Sequence, residues 1–181
     1  DAYPKKILNQ LYKMTPLQSN FHYNMLALVD SIQPRVLGLQ EILQEFIKHR
    51  RIVVRRRTEF ELKKAKARAH ILEGLKIALD HIDEVIKTIR ASKTTEIAEA
   101  SLISKFGLSE IQAKAILAMQ LRRLTGLERE AIENELKALL ELIAKLEAIL
   151  ADENEILRII KEELIEMKDK FGDDRRSKII N

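Results

Sequence analysis

Apolar residues recur along most of this chain at the three- and four-residue spacings of a helix, and the places where that rhythm fails are few. Over residues 39–92, Leu43, Ile47, Val54, Leu62, Ala65, Ala69, Leu72, Leu79, Ile82, Ile86 and Ile89 mark one face, interrupted in the first half by Arg and Lys. A helix of roughly 35 residues over the first part of that stretch rises about 50 Å. Residues 93–125 read as short helices. Thr94 or Thr95 caps a segment reaching Phe106, Gly107 stops it, and Ser109 with Gln112 forms a capping box for a helix running to about Arg123. Beyond Gly126 the pattern is strictest. Ile132, Leu136, Leu139, Ile143, Leu146, Leu150, Leu157, Ile160, Leu164, Met167 and Phe171 keep spacings of four and three, with Glu153 as the one polar intruder, which is the seam of a coiled coil. The start of the chain differs: Pro4 opens a short helix ending before Thr15-Pro16, and residues 23–37 read as a β-hairpin turning at residues 30–34.

Two long helices separated by a compact helical insert bury their seams against each other only by folding back. The expected fold is therefore mainly α: a long antiparallel two-helix coiled coil with a small helical globular knob at its tip and a short β-hairpin near the N-terminus. Its expected parts are residues 1–38 with the hairpin, an outgoing arm at 39–74, the knob at 75–127, and a returning arm and tail at 128–181. Small Ala65, Ala67 and Ala69 are expected to let the returning leucines approach, and Glu153 to meet Arg50, Arg57 or Lys64. Gly74 and Gly126 are the expected hinges.

Composition sharpens this reading. Of 181 residues, 46% are apolar but only 4% aromatic, and five Gly and three Pro leave few turns. Aliphatic seams of that kind suit helix-on-helix packing. The absence of cysteine excludes a disulfide framework and a thiolate metal site and fits a reducing cytoplasm. No apolar run approaches the 18 or so residues of a membrane span, so no membrane partner is expected. The opening without Met reads as a piece cut from a longer chain. The net charge of +4 is unevenly spread, with cations concentrated in residues 48–68 and Glu and Asp in residues 128–169.

No spacing suggests catalysis. His70 and His81 lie three turns apart and do not converge on a metal, and there is no Gly-rich phosphate loop, so no cofactor is expected. Two surfaces are candidates for binding. In the knob, the apolar residues Ile111, Ala115, Ile116, Met119 and Leu121 exceed what one small helix buries, which points to a homodimer contact through Leu108, Ile111, Gln112, Ala115, Ile116, Met119, Gln120, Arg123 and Leu124, or else to the knob's own core. On the outgoing arm, Lys48, Arg50, Arg51, Arg55, Arg56 and Arg57 form a basic run. It either faces DNA phosphates, weakly and without reading sequence, or pairs with the acidic returning arm.

The stretches "LYKMTPLQSNF", "NMLALVD", "RRRTEFELKKAKARAHILEGLKIALDHIDEVI", "FGLSEIQAKAIL", "LRRLTGLERE" and "ILADE" followed by "FGDDRR" carry a family resemblance. Taken in order along nearly the whole chain, they resemble the A subunit of DNA gyrase, a type IIA topoisomerase. The resemblance implies the end of the tower domain, the coiled coil, and the dimerisation domain known as the C-gate or exit gate. There the transported duplex leaves during ATP-dependent supercoiling by a bacterial cytoplasmic, nucleoid-associated holoenzyme that includes the gyrase B subunit. It also implies a non-catalytic segment, since Tyr3, Tyr12 and Tyr23 do not match the motif of the nucleophilic tyrosine. Some positions depart from the family pattern. Ala118 and Gln120 stand where Asp and Arg are usual, Leu136 where Tyr is common, Ile52 and Ile97 where acids are frequent, and Ser31-Ile32 where a Gly is usual. These departures read equally as natural divergence or as engineering. Two further readings stay open: a helical protein that binds DNA through its basic arm alone, and a monomeric engineered helical scaffold.

Overall fold

The computed structural model describes residues 3–30, 32–120 and 126–180, with the side chains of 126 and 127 left aside. Its described elements are α1 (Pro4–Met14), β1 (Leu26–Val29), β2 (Gln33–Val36), α2 (Leu39–Asp80), α3 (Ile82–Ala91), α4 (Thr95–Phe106), α5 (Glu110–Leu117), α6 (Gly126–Ala151) and α7 (Glu153–Phe171). The chain is mainly helical, as its periodicity predicts. Contacts divide it into two units, residues 1–48 and 49–181.

In the first unit, the hairpin pairs Leu26 with Val36 and Val29 with Gln33. Its turn is tighter than the expected residues 30–34, because Asp30 takes a left-handed φ of 51°. Asn and Asp tolerate that region better than most residues. Pro34 thus falls inside β2, opposite Leu28. A two-stranded sheet has only edge strands, where a residue without an N–H is accommodated. The start of α2 is held by Glu41, whose carboxylate accepts from the Gly38 N–H at 2.8 Å.

In the second unit, α2 runs antiparallel to α6 and α7, and the ion pairs reveal the register. Arg50 meets Glu163, Arg55 meets Glu153, Lys66 meets Glu147 at 2.6 Å, Arg68 meets Glu135 at 2.7 Å, and Asp80 meets Arg129. The partner number falls as the α2 number rises. Beneath these pairs lie two apolar clusters. In one, Val54 sits against Ile149, Ile156 and Ile160; in the other, Ala69, Leu72, Leu75 and Leu79 of α2 join Val85, Leu102, Leu108, Ile116, Ile132 and Leu136. Ala65 and Ala69 are buried in the pair as expected, whereas Ala67 is exposed, since it lies on the opposite side of α2.

The returning arm is not one helix. Asp152 leaves the helix with ψ 118° and caps α7, its carboxylate accepting from the Asn154 N–H at 2.8 Å. Glu153 is therefore the first residue of a new helix rather than a polar intruder in an old one. The inward side also departs from the strict spacing: Ile149 near the end of α6 and Ile156 in α7 are buried where it points to Leu150 and Leu157, both only half-buried. Leu164, Met167 and Phe171, expected at the end of the seam, are exposed. The expected partners of Glu153 also change, for Arg55 holds it while Arg50 and Arg57 share Glu163.

Candidate functional site

The corner between α4 and α5 is built by local signals. Thr94 caps α4 by accepting from the Ile97 N–H at 3.4 Å, and this hydroxyl, after the backbone N–H of Glu96 itself, holds the Glu96 carboxyl below its ordinary range. Gly107 ends α4 with a left-handed φ of 66°, and its N–H donates to the Ile103 carbonyl at 3.0 Å. Ser109 and Gln112 then close the predicted capping box: the Ser109 N–H donates to Gln112 Oε1 at 2.9 Å and the Gln112 N–H to Ser109 Oγ at 3.3 Å. The helix that follows is shorter than expected, ending at Leu117 rather than near Arg123.

Tertiary contacts extend the box across to α2. Gln112 Nε2 donates to the His70 carbonyl at 2.7 Å, and His70 Nε2 lies 2.7 Å from Ser109 Oγ. Gln112 is only 6% exposed. Its side chain crosses Gly74, where a Cβ would stand 2.6 Å from Gln112 Cγ and 2.7 Å from Gln112 Cβ. The expected hinge at Gly74 is thus a packing site. α2 passes through it without interruption and breaks two turns later, at His81 with φ −119° and ψ 36°. His81 itself packs against the Phe106 ring, 5.9 Å between centroids. Gly126, the other expected hinge, is the first residue of α6.

The expected dimer-contact residues separate into two groups. Leu108, Gln112 and Ile116 are buried in the chain's own core, because α2 and α4 cover that side of α5; they are not open surface. Ile111, 61% exposed, faces outward one turn before half-buried Ala115, with half-buried Met119 and exposed Ala118 and Gln120 beyond them. Arg123 and Leu124 lie outside the described residues.

The basic run also divides. Lys48 bonds Asp30 at 3.2 Å and Glu45 at 3.4 Å, and these carboxylates raise its ammonium pKa, the hydrogen bond to Asp30 most strongly. Arg50 and Arg57 converge on Glu163, the latter at 2.7 Å. Burial works to raise the Glu163 pKa, but Arg57 and Arg50 together hold it below the ordinary carboxylate range. Arg55 is engaged by Glu153. Among the described residues only Arg51 and Arg56 of the six form no ion pair, and both are exposed. Beside them, Ile52 and Phe60 lie on the outer face of α2, Phe60 68% exposed. Periodicity alone hides this feature, since an exposed apolar residue in a basic helix looks like an irregularity of the seam.

No helix among the described residues is long and apolar enough to cross a membrane. The family model for the A subunit of DNA gyrase and topoisomerase IV matches residues 1–165. Among curated proteins, the chain is similar to the DNA gyrase A subunit of Clostridium acetobutylicum, 63% identical over 99% of the chain and 21% of that protein. It is likewise similar to the gyrase A subunits of Staphylococcus epidermidis, 59% identical over 99% of the chain and 20% of the protein, and of Halalkalibacterium halodurans, 59% over 99% and 21%. The chain spans about one fifth of the length of these relatives. An agreement of that level, held along an entire pair of paired helices and their capped corner, identifies the chain as a member of the family formed by the A subunits of DNA gyrase and topoisomerase IV.

Proposed function

We propose that this chain is the coiled-coil and exit-gate segment of a gyrase A subunit. In this role it is non-catalytic, holds two subunits together through its helical knob, and lets the transported DNA duplex leave. The holoenzyme would include the gyrase B subunit, act in the bacterial cytoplasm on the nucleoid, and use ATP to supercoil DNA; the chain by itself cleaves nothing and needs no cofactor. The observation that supports this most is the outward apolar step formed by Ile111, Ala115 and Met119, on a corner where Leu108, Gln112 and Ile116 are already buried. A gate must reclose after each passage, and a surface resting on a rigid base does so without refolding. Met119 adds a side chain that adapts to a re-forming contact.

Sedimentation equilibrium over a wide concentration range tests this role. The native chain is expected to be a dimer and an Ile111→Glu variant a folded monomer, with helicity unchanged by circular dichroism because Ile111 is exposed. A native chain that stays monomeric at high concentration overturns the gate reading and favours an isolated helical scaffold.

The two unpaired cations support a subsidiary contact with duplex DNA. Each neutralised phosphate contributes about 0.9 to the slope of log affinity against log salt. Arg51 and Arg56 therefore predict weak binding with a slope of about −2, whereas all six cations acting together would give about −5. The steeper value would favour a dedicated DNA-binding arm.

A further inference from the structure

Helix α4 packs against both α3 and α5, and a cleft of about 270 Å³ remains between those two helices. Ile82, Ile86 and Ile89 of α3 recur at one-turn intervals along its wall, all only half-buried, although a helix this apolar on one side ordinarily buries that side. Val85 and Ile116, 1% and 3% exposed, form its floor. Leu117 and Met119 close the far side. Among the described residues the lining contains no carboxylate, and its one charged member is Arg90. Among the described residues Arg90 makes no ion pair and no hydrogen bond, in a protein where most interhelical arginines are matched.

We infer that this cleft is a binding site for a small lipophilic anion of the medium-chain carboxylate class. The apolar tail lies along the isoleucine row and the carboxylate meets the Arg90 guanidinium. Two features select this chemistry. Arg90 apart, the described wall side chains offer a tail van der Waals contact but no hydrogen-bonding group, so a neutral polar ligand would lose hydrogen bonds to water with little replacement. The Arg90 guanidinium, without a partner among the described residues, donates to a planar carboxylate in bidentate geometry. A second copy of the chain is the competing occupant, but among the described residues the cleft has no acid to match the partner's Arg90 in a two-fold contact. The cleft is formed within one chain, and it shares Met119 with the proposed gate contact.

The test is a titration of the 181-residue chain with hexanoate, octanoate, decanoate and decanol below their aggregation limits, followed by isoleucine methyl resonances. Ile86, Ile89 and Ile116 are expected to shift saturably. Affinity is expected to rise about three- to fourfold per added methylene and then level off once the tail outgrows the cleft. Arg90→Gln should weaken decanoate about two- to fivefold and leave decanol unchanged. Ile86→Trp should abolish binding by filling the cleft, with folding confirmed by circular dichroism. Shifts spread equally over exposed Ile52 and Ile165, or equal loss of decanoate and decanol on Arg90→Gln, would overturn the assignment. So would an affinity that falls when protein concentration is raised about tenfold, which identifies a second copy as the occupant.

Discussion

Replacing Gly74 with alanine ordinarily helps a helix, because glycine in a helix interior costs about 1 kcal/mol relative to alanine. Here the opposite sign is expected. The new Cβ would stand 2.6 Å from Gln112 Cγ, 2.7 Å from Gln112 Cβ and 3.0 Å from Gln112 Cδ. A flexible tip would swing away, but the Cβ of Gln112 moves only with the backbone of α5. The side chain is also tethered at both ends, Oε1 to the Ser109 N–H and Nε2 to the His70 carbonyl. Relief requires either shifting α5 off α2 or ejecting Gln112 and giving up those bonds. Overpacking costs about 1–3 kcal/mol, and each lost hydrogen bond about 0.5–1.5 kcal/mol. Against the helical gain of about 1 kcal/mol, the net expectation is a destabilisation of about 1–3 kcal/mol. Urea titration followed by the helical circular dichroism signal reads this as a lower midpoint at unchanged slope. In a Gln112→Gly background, which removes Cβ as well as Cγ, the obstacle is gone and Gly74→Ala should be stabilising, so the double-mutant cycle should show about 2–4 kcal/mol of coupling. A Gly74→Ala chain with a raised midpoint would refute the close approach and return Gly74 to the role of a soft point in the helix.

Gly107 offers the contrasting case. With φ 66° and nothing within 4 Å of a built Cβ, Gly107→Ala meets only backbone strain, and a loss of about 1 kcal/mol in the same urea titration is expected, with no dependence on Gln112. Asp152→Ala removes the α7 cap and should cost about 1 kcal/mol, with amide exchange quickening first at Glu153 and Asn154. Glu163, whose folded-state pKa lies below its unfolded value, contributes stability that is complete above about pH 4.5 and is lost as pH falls through the folded value. The urea midpoint of the native chain should accordingly fall more steeply in acid than that of Glu163→Gln, and the two curves should converge at the lowest pH.

Short-range signals were legible in the sequence because their physics is short-range. A capping box needs Ser109 and Gln112 three residues apart, and a left-handed helix stop needs Gly107 just past Phe106; both act within one turn, whatever lies around them. The Asp152 cap belongs to the same kind. Asp152 with Glu155 three residues later is a start signal, masked by the seam periodicity on either side of it. The mainly helical class and the antiparallel return likewise follow from two long apolar rhythms with an insert between them. The family itself is readable from residue order alone. Composition could not say which side of α5 faces in, because its apolar residues are distributed around the helix and only α2 and α4 choose among them. Leu108, Gln112 and Ile116 went to the interior for that reason, while Ile111 stayed outside. The same holds for the basic run. Six cations look alike along the chain, but carboxylates from distant turns reach Arg50, Arg55 and Arg57 and, among the described residues, leave Arg51 and Arg56 without one. Gly74 makes the point most sharply: a glycine's backbone freedom is a property of the residue, but whether it serves a bend or a close contact depends on a side chain 38 positions away, Gln112, brought there only by the folded chain.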